Sequence, residues 1–421
     1  MSASTPSPQP TAWRRHLRGS DLRGAVQLAT AATLGVARIT EGVHQSVWST
    51  LGVGGAAPGQ TGGLTGLVYR SVHGVTRLVG QGLGKALSAL EPLMANADML
   101  PPASPEREAV LAALNGVMGD QLLASHSPFA TPMSLRWQGR VLSPAALPPA
   151  ESVTGKLLLM IHGLCMNDLQ WHTRSAGQTV DHGQAVAAAL GYTPVYLRYN
   201  TGLHTSQNGH ALADQLEVLL SAWPVEVCEL SVLGHSMGGL VIRSAVHSAR
   251  SRGLAWPARL KHIVFLGTPH HGAPLERAGH WVDIVLGSTR YSAPFARLGQ
   301  LRSAGITDLR HGHVRDEDWQ GHDRFQHRAD MRQPLPLPDG VACHALAATT
   351  AARRSPAADR LVGDGLVPLR SALGQHAQRR HRLAFAKQSQ CIVYRTGHLA
   401  LLSSPEVTQQ ILRWLAPAEA G

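Results

Sequence analysis

The pentapeptide Gly234-His235-Ser236-Met237-Gly238 sets a serine two residues from a glycine on either side. That spacing suits a nucleophile carried on a sharp turn, entered by a strand and left by a helix, with glycines where a Cβ would strike the turned backbone. The flanks agree. Residues 230–233 form a short apolar strand run, and Gly239-Leu240-Val241-Ile242 opens a helical one. A serine hydroxyl attacks poorly until a base takes its proton, and the base needs a fixed carboxylate to hold its tautomer. With 23 histidines in the chain, placement decides which is the base. His398, in Thr396-Gly397-His398-Leu399, follows the last strand run and precedes the last helical run; His376 and His381 lie before that strand and read as surface residues. Asp364, in Gly363-Asp364-Gly365-Leu366-Val367-Pro368, is the predicted acid, in preference to Asp359 in an arginine-flanked, solvated stretch.

The oxyanion formed during acyl transfer needs two N–H donors, one from the residue after the nucleophile and one from a loop after an earlier strand. Met237 is placed to give the first. His162-Gly163-Leu164 directly follows the apolar run ending at Ile161, so Leu164, or as the lesser alternative Cys165, is placed to give the second.

These residues must be positioned by a sheet. Beyond about Met133, short apolar runs at 157–161, 194–199, 227–233, 260–266, 341–348 and 391–395 alternate with helical stretches at 181–190, 208–223, 237–251 and 405–415. Strand–helix alternation of this kind predicts an α/β domain with a mostly parallel sheet, here over 132–275 and 341–417. Residues 276–340 interrupt it as a long insertion, expected to act as a cap or lid. Its Asp308, His311, His313, Asp316, Glu317, Asp318, His322, Asp323 and His327 match no metal-ligand spacing, so a solvated lid is preferred to a metal site.

Upstream, residues 1–20 read as a flexible tail and 21–125 as a helical extension. Leu22, Ala25, Ala29, Ala32, Val36, Ile39 and Val43 make one apolar stripe, and Leu64, Val68, Val72, Val75, Val79, Ala86 and Leu90 a second. A third helix is predicted to start at Ser104-Pro105 and to stop at Gly119.

Together, His162-Gly163-Leu164, Gly234-His235-Ser236-Met237-Gly238-Gly239, Gly267-Thr268-Pro269-His270-His271-Gly272, Asp364-Gly365-Leu366-Val367 and Gly397-His398 resemble bacterial α/β-hydrolase lipases, and more specifically the GPI inositol-deacylase-like esterases. The resemblance implies an α/β-hydrolase fold and hydrolysis of carboxylic esters with lipid-like acyl groups, without a cofactor. It also implies that His162, Gly163, Cys165 and His270 lie near the substrate. The long N-terminal extension departs from simple secreted lipases.

Composition bounds the alternatives. The formal charge of +11 comes from dispersed arginine without a dense basic block, so nucleic acid is not an expected partner. Cations on the apolar stripes, such as Arg23, Arg38, Arg70, Arg77 and Lys85, allow peripheral contact with an anionic membrane surface. Four cysteines make no disulfide framework; Cys228, Cys343 and Cys391 read as small buried hydrophobes. No signal-like h-region follows Met1 and no uncharged run reaches about 20 residues, so a cytoplasmic protein is expected. Acyl transfer or thioester hydrolysis through the same acyl-enzyme is the alternative chemistry, and a non-catalytic lipid-surface protein the alternative of another class.

Overall fold

The computed structural model describes residues 20, 21, 23–30, 70, 71, 73, 81, 104–175, 178–273, 302–324, 329–352 and 363–417. Most of both predicted N-terminal stripes, the tail, the rival acid Asp359 and His327 lie outside them. Two compact units are present, one of Met1–Arg107 with Leu122–Phe129, the other of Glu108–Gln121 with Ala130–Gly421. In the first, residues 23–30 are helical and Arg107 pairs with Asp21 at 2.6 Å. The predicted third helix is α1 (Pro105–Ala124), which does not stop at Gly119: it runs past a break at Met118, where φ is −142° and ψ 23°. Among the described residues no helix is long and apolar enough to cross a membrane.

The second unit is built on an eight-stranded sheet. Its strands are β1 (Ser134–Trp137), β2 (Arg140–Val141), β3 (Lys156–Ile161), β6 (Thr193–Arg198), β7 (Glu229–His235), β8 (Leu260–Leu266), β9 (Ala342–Thr349) and β10 (Gln390–Tyr394); β4 (Thr173–Ser175) and β5 (Gln178–Val180) form a separate hairpin. The order across the sheet is β10-β9-β8-β7-β3-β6-β1-β2. From β10 to β6 all pairings are parallel, and β1 runs antiparallel to β6 and β2. All six apolar runs are strands of the parallel block. They are apolar nearly throughout because both faces are covered: in β3 every residue from Leu157 to Ile161 is buried.

The covering helices are α2 (His182–Leu190), α3 (Thr205–Ala222), α4 (Met237–Ser251) and α7 (Pro405–Leu415), with short α5 (Ala304–Asp308) and α6 (Leu369–Ala372) between strands. Helices α3 and α4 approach closely at Gly209, where a Cβ would lie 2.2 Å from Ser244 Oγ. The α3 helix starts at Thr205, earlier than residue 208, because an acid from the insertion caps it: Asp308 Oδ2 accepts from Thr205 N at 2.7 Å and Oδ1 from His204 Nδ1 at 2.9 Å.

That contact corrects the expectation of a uniformly solvated insertion. Glu317, His322 and Asp323 are exposed, yet Asp308 is 1% exposed, and Ala304, Ile306, Leu309 and Val314 join the core. Asp318 is also buried, its Oδ2 accepting from Val314 N and Arg315 N at 3.0 Å each. Two further expectations change: Cys228 is exposed, because it precedes β7 rather than entering it, and His381 is buried.

Candidate active site

Strand β7 runs into Ser236, and α4 leaves from Met237. Ser236 has φ 55° and ψ −123°, a conformation unfavourable for any residue with a side chain, costing about 1–3 kcal/mol. The surroundings enforce it. Ser236 N donates to Leu266 O at 2.8 Å, and the flanking glycines leave no room to relax: a Cβ at Gly238 would lie 2.4 Å from Ile161 O, and one at Gly234 2.9 Å from Gly239. Ser236 is buried, and its Oγ has no hydrogen-bond partner among the described residues.

On the loop after β9, Asp364 has both oxygens engaged. Oδ1 accepts from Leu366 N at 3.0 Å and Val367 N at 2.8 Å; Oδ2 accepts from His398 Nδ1 at 2.6 Å. The backbone repeats the tie, with His398 N donating to Asp364 O at 3.0 Å. Both side chains are almost fully buried. A carboxylate held by two amides accepts from Nδ1–H, which directs the other ring nitrogen, Nε2, to act as the proton acceptor. Gly267, one residue beyond the carbonyl that receives the Ser236 amide, lies against this pair: a Cβ there would be 3.2 Å from Asp364 Oδ2 and 3.3 Å from His398 Cε1. Ser236, Asp364 and His398 thus follow the carboxyl ends of β7, β9 and β10; Asp364 and His398 are hydrogen-bonded to each other, and Ser236 Oγ makes no hydrogen bond to His398.

Sequence reasoning missed His235 as a partner of the histidine. Its ring centroid is 4.8 Å from that of His398, and its Nε2 is 3.2 Å from His398 O. Burial holds its pKa well below the usual 6.5, so the ring is neutral and donates Nε2–H to that carbonyl. The only signal was its place inside the pentapeptide.

The loop after β3 sits beside the serine, and a Cβ at Gly163 would be 3.0 Å from Ser236 Cβ. His162 is buried, its ring stacked on Tyr199 at 4.5 Å, and Tyr199 OH donates to His162 O at 2.8 Å. Desolvation pushes its pKa down to about 4. Leu164 and Met237 are both buried. The Cys165 N–H donates to Thr201 Oγ1 at 3.1 Å, so this alternative donor is already engaged. The His270 ring packs on Phe265 at 4.7 Å and Phe385 at 5.5 Å, and its carbonyl accepts from Arg332 Nη1 at 3.1 Å. Among the described residues, no three His, Cys, Asp or Glu side chains converge as a metal site.

A parallel sheet flanked by helices, with a strained serine between a central strand and its helix, is an α/β-hydrolase fold. Residues 130–309 match a family model described as a domain of unknown function, DUF7379. No curated protein matches the chain. Similar solved structures include a Bacillus licheniformis lipase in mature form, at 16% identity and TM-score 0.38, covering 67% of this chain and 99% of that one. A Listeria innocua gene product is similar at 13% identity and TM-score 0.35, covering 63% and 95%. A Pyrococcus furiosus esterase is similar at 15% identity and TM-score 0.33, covering 62% and 83%.

Proposed function

We propose that the chain is a serine hydrolase of carboxylic esters with lipid-like acyl groups, acting through Ser236, His398 and Asp364. The observation that carries the reading is a buried serine with φ 55° on a loop adjoining a buried Asp364–His398 pair. A serine held in so costly a conformation points to a task for its hydroxyl. In this reading His398 Nε2 takes the Ser236 proton as Oγ attacks the ester carbonyl, and the N–H groups of Leu164 and Met237 hold the oxyanion. His398 then returns the proton to the leaving alkoxide, giving an alcohol and an acyl-enzyme. Water, deprotonated by the same imidazole, adds to the acyl carbon; collapse breaks the Ser236 ester, releases the carboxylic acid and restores the hydroxyl. Asp364 stays ionised and stabilises the imidazolium.

The lipid-like acyl group rests on the sequence resemblance, and one apolar side chain, Met166, lies beside the loop next to the serine: a Cβ at Gly163 would be 3.2 Å from its Sδ and 3.0 Å from Ser236 Cβ. A fluorophosphonate probe and a panel of p-nitrophenyl esters of increasing chain length test the proposal. Labelling and turnover are expected in the wild type and absent in Ser236→Ala. Equal labelling of both proteins would remove Ser236 from the chemistry, and product analysis with added alcohol separates hydrolysis from acyl transfer.

A further inference from the structure

The loop that offers Leu164 N–H is not self-supporting. Cys165 has φ 58°, the left-handed region that disfavours a residue with a Cβ. Two segments from elsewhere in the same unit hold it there. The first is the loop after β6, where buried Thr201 accepts the Cys165 N–H through Oγ1. The second is α1, whose backbone at Gly116 rests directly on the cysteine: a Cβ there would be 2.1 Å from Cys165 Sγ and 2.9 Å from Cys165 Cα.

Both supports are themselves pinned. Asn200 Nδ2 donates to Gly119 O at 2.9 Å, tying the β6 loop to the helix, and Ser303 Oγ donates to Gly116 O at 2.6 Å. Asn208 Nδ2, from α3, secures Asn200 O at 2.9 Å. The Cys165 amide is the next peptide after the one that carries the Leu164 N–H, so fixing the first limits how the second can turn. A donor aimed before the reaction costs no reorganisation when charge develops on the substrate oxygen, which is what gives an oxyanion hole its effect.

We infer that Thr201 and the Gly116 turn of α1 are positioning elements for the oxyanion hole, fixing Cys165 and so aiming the N–H of Leu164. The inference rests on the serine-hydrolase reading above. It gives one turn of a helix that precedes the whole sheet a part in catalysis without contact with substrate.

The test compares Thr201→Val, which keeps the shape and removes the acceptor, with Thr201→Ser, which keeps the acceptor. Removing an oxyanion donor outright costs about 10²–10³ in kcat, and a misaimed one is expected to cost about 10–100-fold. Thr201→Val should therefore lower kcat on a p-nitrophenyl ester and the fluorophosphonate labelling rate by that factor, with KM within about twofold and the melting temperature lowered only by the one buried N–H left unpaired. Thr201→Ser should recover most of the rate. Thr201→Ala, which opens space instead of burying a methyl, is the second variant should Val fold poorly, and carries the same expectation. Wild-type rates in a folded Val or Ala variant, or a rise in KM that accounts for the whole loss, would overturn the inference. Failure of the underlying reading looks different: labelling and turnover would then be absent from the wild type or survive in Ser236→Ala.

Discussion

Replacing Asp364 by asparagine separates its two tasks, because they fall on different oxygens. Oδ1 serves the fold by accepting from Leu366 N and Val367 N, and Oδ2 serves the histidine. Asparagine can leave its carbonyl oxygen on the two amides and present its NH₂ to His398 Nδ1. The ring must then accept there and carry its proton on Nε2, the wrong tautomer for a base. The loss expected for that inversion is about 10⁴ in kcat, or about 5 kcal/mol of transition-state stabilisation at 1.36 kcal/mol per decade. Alanine removes the carboxylate altogether and leaves two buried N–H groups unpaired, at about 1–3 kcal/mol each. Asp364→Ala should therefore lose activity and about 2–6 kcal/mol of stability, whereas Asp364→Asn should lose the activity with a much smaller change in stability. Ester turnover and urea unfolding on the same preparations measure both. An Asn variant within tenfold of wild type would refute the assigned tautomer, and equal stability loss in the two variants would refute the division between the oxygens.

Ser236→Gly should be inactive yet more stable than Ser236→Ala by about 1 kcal/mol in urea unfolding, since glycine alone adopts φ 55° without strain. Acid should unfold the protein from about pH 6.5 downward, because His162 is held neutral with its pKa pushed down to about 4 while the unfolded chain takes up the proton. A depression from 6.5 to about 4 corresponds to about 3 kcal/mol, present above pH 6.5 and lost as pH falls to 4; His235 and His270, also pushed down by burial, act in the same direction. Unfolding midpoints from pH 7.5 to 4 check this, and a flat profile would contradict the neutral histidines. His172 behaves oppositely: its close contact with the Asp181 carboxylate raises its pKa, so the contribution is complete below about 6.5 and fades as pH rises through the folded value. His172→Gln should accordingly cost more stability at pH 5.5 than at pH 9, and an equal loss at both would show that the ring's charge is irrelevant.

How much of this was legible from the residues depended on whether burial left a mark on the sequence. The parallel strands were readable because a strand covered on both faces is apolar at successive positions, as 157–161 is. Strands β1 and β2 were not: they are four and two residues long, at the sheet's antiparallel end, and only Leu135 among them is buried. Strand order placed Ser236, Asp364 and His398 after three strands of the parallel block, and they follow β7, β9 and β10, with Asp364 and His398 hydrogen-bonded at 2.6 Å. The insertion misled for the opposite reason. An aspartate reads as solvated, yet Asp308 and Asp318 are buried because backbone N–H groups and a histidine meet them, and those partners lie up to 104 residues away in the chain. His381 and Cys228 were misjudged similarly, since a single side chain carries no periodicity to show which way it faces.

The order of the strands has a consequence in time. Ser236 closes a strand at the middle of the sheet, while His398 follows β10 at its edge, after β9 has been laid beside β8. During synthesis Ser236 therefore emerges about 160 residues before His398. Parallel neighbours such as Leu230–Leu260 and Lys156–Glu229 lie about 30 and about 70 residues apart in the chain, so each pairing closes a loop. On the serine-hydrolase reading proposed above, Ser236 would gain its base only when the final strand docks, and reactivity towards a fluorophosphonate during refolding would then time completion of the sheet.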